Sequence, residues 1–170
     1  MGDEHPARRL PEADRLEYLA IVASVAYSDR VIYESEADRI LDIGRDLGLG
    51  DAAVRAFVED IGPDVQRSHE VAARFRDDKD LATRLLTDVI LVAFADGMVQ
   101  SSEAVEVAQF AKALGISTGQ ATMLGRYVES VLLASEDADV GELSRSLAVG
   151  MTTVPPNPYG IRRLYKALTK

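Results

Sequence analysis

Four carboxylates are the residues whose type and spacing could do chemistry in this chain. Asp29 and Glu36 stand seven positions apart, and Asp96 and Glu103 repeat that spacing 67 residues further on. Their surroundings repeat as well. Tyr27-Ser28-Asp29-Arg30-Val31-Ile32-Tyr33-Glu34-Ser35-Glu36 aligns without a gap on Phe94-Ala95-Asp96-Gly97-Met98-Val99-Gln100-Ser101-Ser102-Glu103. At the same offset Leu19, Val22, Val25, Ala26, Ala37, Leu47 and Gly48 each meet an identical residue. This pattern predicts an internal duplication. Shared apolar positions follow from a shared helical pattern, but shared acids need a further reason. If the copies face each other across a pseudo-two-fold axis, Asp29, Glu36, Asp96 and Glu103 converge. Four carboxylates together repel one another unless they are protonated or bridged by a cation. Oxygen ligands alone select a hard divalent cation, calcium or magnesium before zinc. The plainer alternative is structural: each Asp closes a helix, and each Glu sits in the first turn of the next, where the dipole favours a carboxylate.

Other chemistry is thinly represented. There is no cysteine, which excludes disulfides, thiolate metal sites and thiol nucleophiles. The two histidines, His5 and His69, are too few for a His-rich transition-metal site, and His69 reads as a surface residue. No serine has a local His and Asp arrangement, and Gly48-Leu49-Gly50 lacks the lysine of a phosphate loop. Asp96-Gly97 and Glu103 fit positions five, six and twelve of an EF-hand loop, but positions one and three fall on Val92 and Phe94, which cannot ligate. No catalytic or cofactor-binding residue is therefore assigned. The net charge of −9 argues against nucleic acid as a partner. No apolar run is long enough for a membrane span and no apolar signal core opens the chain, so the expectation is a cytoplasmic protein.

The elements that must position the acids are helical. Apolar residues recur at helical spacing, and turn signals lie too far apart for hairpins. The chain therefore predicts an all-α, compact bundle of about seven to eight helices, built from two pseudo-symmetric helical hairpins. Residues 1–10 are expected to form a flexible lead-in, and residues 11–154 the domain, with repeats at about 16–62 and 82–134. The first repeat has helices to about Ser28, from Glu34 to Leu47-Gly48, and from Asp51 to Ile61, followed by a polar helix to Phe75. The second has a nearly all-apolar helix from about Asp78, a partner from Ser102 through Leu114 to Gly115, and a helix capped by Thr118 and ending near Ala134. Val140 to Val149 reads as one more short helix. Pro155-Pro156-Asn157-Pro158 breaks the chain before a basic amphipathic tail helix, residues 155–170. With so few cations, membrane contact through that tail is at most weak.

Ala95-Asp96-Gly97-Met98-Val99, then Ser102-Glu103, preceded by Leu85-Leu86 and followed by Leu114-Gly115, resembles the TerB-like family over roughly residues 14–134. These are tellurite-resistance-associated helical domains, also found attached to membrane-anchored J-domain co-chaperones. The resemblance implies a pseudo-symmetric, all-helical, non-enzymatic domain tied to stress response, with metal-binding acids at Asp29, Glu36, Asp96 and Glu103. One position departs from the family: Arg30 stands where Gly is favoured, and its guanidinium could neutralise the acids without a metal.

Two functions are therefore expected. In the first, a divalent cation at the acidic corners regulates contact with a protein partner in a stress- or envelope-associated pathway. In the second, the acids are purely structural and the domain is a metal-independent interaction or homo-oligomerisation module. Hydrolytic or redox catalysis would be a third, and no sequence signature supports it.

Overall fold

The computed structural model describes residues 4–29, 31–60, 65–95, 99 and 101–133. Seven α-helices make up this region, with no strand among the described residues. They are α1 (Glu12–Ala26), α2 (Glu34–Asp46), α3 (Asp51–Asp60), α4 (Val65–Ala72), α5 (Lys79–Ala93), α6 (Ser101–Ala113) and α7 (Thr118–Leu133). The 67-residue offset carries α1 onto α5 and α2 onto α6 at both ends, and the first residue of α3 onto that of α7. The duplication seen in the residues is thus kept in the helix boundaries.

The boundaries have the same physical origin in both copies. Two residues past the end of α2 stands Gly48 (φ +74°) and two past the end of α6 Gly115 (φ +68°), a left-handed conformation costly for any residue with a Cβ. Gly48 N–H donates to the Arg45 carbonyl and Leu49 N–H to that of Gly44, both at 2.9 Å. Gly115 to Lys112 and Ile116 to Ala111 repeat the pair at 3.1 and 2.9 Å. This arrangement satisfies carbonyls that the end of a helix would otherwise orphan. Asp78 caps α5 by accepting from Leu81 N–H at 3.1 Å. The cap of α7 is Ser117 and not Thr118: Ser117 Oγ accepts from Gln120 N–H at 3.3 Å, while Gln120 Oε1 accepts from Ser117 N–H at 3.2 Å. Thr118 is the first helical residue, one position inside the cap.

The core is built on α1 against α5, the two counterpart helices. Leu19, Val22 and Val25 from one, and Leu86, Val89 and Val92 from the other, are all fully enclosed. Each such side chain contributes about 1.5–3 kcal/mol by leaving water. α2 leans on α5 and α6 on α1, the reciprocal contacts expected of a pseudo-two-fold arrangement. α4 packs against α1 and α6, while α7 covers α5.

The N-terminal segment departs from the sequence-based expectation. Residues from His5 onward were expected to be loose, yet Ala7 is wholly buried and His5 nearly so. Pro6–Arg9 forms a 3-10 turn against α1 and α5. Arg9 also forms an ion pair with Asp78 at the start of α5. The reason is long-range: His5 reaches a buried carboxylate in the second repeat. The expected Val140–Val149 helix, the proline break and the basic tail lie outside the described residues. No described helix is long and apolar enough to cross a membrane.

Candidate functional site

Between α1 and α2 the chain makes a 3-10 turn, Tyr27–Asp29. That turn packs on α6 of the other repeat. Ser28 Oγ donates to Ser102 Oγ across 3.3 Å, and Ser28 precedes Asp29 as Ser102 precedes Glu103. The exit of the first repeat's long helix is therefore seated on the start of the second repeat's shorter one. Of the four predicted acids, Asp29 and Glu103 are thereby brought to one corner at the level of the backbone. The side chain of Asp29 and the whole of Arg30 and Asp96 lie outside the described residues.

Glu36 and Glu103 are third residues of α2 and α6, and both are buried, 4% and 5% exposed. Burial of a carboxylate is costly unless hydrogen bonds or opposite charge compensate it. Glu36 is compensated in part by its helix end: its Oε2 accepts from Tyr33 N–H at 2.7 Å. That bond is the acidic half of a capping box and a structural duty read from the sequence only as a dipole effect. Beside this corner Val31 and Tyr33 are unusually exposed for apolar side chains, 51% and 46%.

A second titratable cluster has no warning in the residue repeats. Asp88, set among the apolar residues in the C-terminal half of α5, is completely buried. Its Oδ2 accepts from Tyr18 OH at 2.7 Å and from His5 Nε2 at 2.8 Å, and its Oδ1 accepts from Arg84 Nε at 3.2 Å. Ala7 N–H donates to His5 Nδ1 at 3.1 Å, which assigns the proton to Nε2. Both ring nitrogens are thus committed. Burial, and then the neighbouring Asp88 charge, push the Tyr18 phenol well above its ordinary value. The cluster ties the N-terminal segment, α1 and α5 to one carboxylate. A lone acid in an apolar helical run was the signal that could have found it.

No family model, curated protein or solved structure matches this chain. Among the described residues no three His, Cys, Asp or Glu side chains are grouped to hold a metal. The described side chains include Glu36 and Glu103 but neither predicted aspartate. The predicted donor set is all oxygen, which fits calcium or magnesium and not a soft metal. His69, expected at the surface, is half-buried: Nε2 lies 2.8 Å from Glu106 Oε2 and its ring stands edge-on to Phe110.

Proposed function

We propose that this chain is a TerB-like, non-enzymatic binding domain. Its duplicated acidic corners take one hard divalent cation, and occupancy governs a protein contact in a stress- or envelope-associated pathway. The observation that carries this reading is the Ser28–Ser102 contact at 3.3 Å, which seats an acidic corner of one repeat on the acidic helix start of the other. Burial of Glu36 and Glu103 at equivalent positions supports it, because a helix-end acid with a purely dipolar role has no need to leave water. Asp29 and Asp96 would supply the remaining oxygens.

The test is thermal unfolding of chelator-treated protein with and without millimolar calcium, magnesium or zinc, beside an Asp96→Asn, Glu103→Gln variant. A cation that binds only the native state stabilises it by about 2.7 kcal/mol at a hundred times its Kd. The parent should gain melting temperature with calcium or magnesium, and the variant should not. A parent indifferent to all three metals would remove the cation from the function.

A second reading rests on different observations. Glu36 already serves as a helix cap, and Val31, Tyr33, Val105 and Met123 are exposed apolar side chains. These fit a metal-independent interaction or oligomerisation module. A mass that rises with protein concentration, unchanged by chelator, would favour it.

A further inference from the structure

A polar cleft of about 170 Å³ opens where the N-terminal segment meets the end of α2 and the middle of α5. Glu4, His5, Arg8, Arg45, Asp46 and Arg84 line it. We propose that it binds a small oxyanion, a phosphate or a short polycarboxylate, with Arg84 and Arg8 as the recognising groups. Its size falls below the roughly 300 Å³ at which drug-sized pockets begin, so a nucleotide does not fit and an anion of a few heavy atoms does.

The state of each guanidinium points to this ligand. Arg84 is anchored through its Nε, which donates to buried Asp88 at 3.2 Å, and no hydrogen bond among the described residues uses its terminal nitrogens. The nearest cleft carboxylate, Asp46, stands 3.8 Å from Arg84 Nη2, too far for a hydrogen bond. Arg8 makes one bond, from Nη1 to Glu4 at 3.1 Å, and Glu4 is itself mostly exposed. A Cβ at Gly48 would lie 3.2 Å from Arg8 Nε, so the glycine leaves room for this side chain over the end of α2. The negative end of α2 does not consume either arginine, because Arg15 Nη1 answers the Leu47 carbonyl at 2.8 Å. Arg45 is different: Asp51 holds it through two bonds of 2.9 and 2.7 Å and Asp42 through a third, which makes it a wall and not a ligand. His5, with both nitrogens engaged, is the floor.

Two planar guanidiniums with donors to spare are suited to paired N–H contacts with an oxyanion. The exposed pairings to Glu4 and Asp46 are weak ones that such an anion can displace. The protein as a whole is acidic, so attraction of anions would come from this cleft and not from the overall field.

The experiment is calorimetric titration of the full chain with inorganic phosphate and, separately, with citrate, at an ionic strength held constant with sodium chloride. Saturable binding of either is expected, and the stronger of the two identifies the class. Arg8→Gln, at an exposed position, should weaken it about tenfold, the loss of one charge-assisted contact. Asp46→Asn, which removes a competing carboxylate and threatens no buried group, should tighten it about threefold. Heats indistinguishable from those of sodium chloride, or binding untouched by both variants, would overturn the proposal.

Discussion

Asp88 shows how much one side chain can decide. Three donors from three parts of the chain meet on its two oxygens, and two of them, the Tyr18 phenol and the His5 imidazole, are buried away from water. Truncation to alanine would strand a buried phenol and a buried imidazole N–H together. Removing one partner of a buried charged pair costs about 3–5 kcal/mol, chiefly because of what is left unpaired. Asp88→Ala should therefore lose about that much in urea unfolding, with an unchanged m-value, whereas Glu106→Ala at the half-buried His69 pair should lose distinctly less. Equal losses at the two sites would mean that the Asp88 cluster carries no special weight. The matched, buried placement of Glu36 and Glu103 was legible because the two positions repeat. The partners of Asp88 were not, because Tyr18 and His5 are 70 and 83 residues away and no local pattern points to them. His5 was misread for the same reason: beside a proline and two arginines it has the local look of a loose terminus.

At the scale of elements, the sequence was a good guide wherever the causes were local. Helical spacing of apolar residues and a glycine stop located α2 and α6 to within two residues, and the observed limits of the two copies match at the same offset. How the hairpins pack is less local, and one pair of positions shows why. A Cβ on Gly44 of α2 would come within 2.6 Å of a Val54 methyl on α3. In the second repeat the equivalent positions are Ala111 and Ala121, both buried. At these matched positions one copy thus carries glycine against valine and the other two buried alanines. Gly44→Ala alone should overpack α2 against α3 and cost about 1–3 kcal/mol despite the better helix propensity of alanine. Adding Val54→Ala recreates the second repeat's pairing and should recover most of that loss in a double-mutant cycle. Additive losses would show that the two hairpins do not share a packing solution.

For the whole molecule, the direct contact of α1 with α5 means that neither repeat encloses its core alone, and the N-terminal segment adds a polar tie across the same interface. The tie has a pH signature that follows from Tyr18. Its phenol is held well above the ordinary value of 10.0, first by burial and then by the Asp88 charge, so the fold favours the neutral form. The unfolded chain ionises this tyrosine at its ordinary value while the folded chain does not. The resulting stability is fully present below pH 10.0 and is lost as pH climbs from there through the raised value. On the acid side the sign reverses for Asp78, whose carboxyl is lowered first by the Leu81 N–H bond, with the Arg9 guanidinium adding to the shift. Its contribution is present above the ordinary carboxylate value and fades as pH falls through the lowered one. Urea unfolding of the parent should therefore show a midpoint that drops steeply above pH 10.0, in addition to any general alkaline loss. Tyr18→Phe should start lower at neutral pH, by about 1.5–3 kcal/mol for the lost hydrogen bond to a charged acceptor, and should follow a shallower alkaline slope. Parallel alkaline slopes in parent and variant would mean that Tyr18 does not report the tie between the repeats.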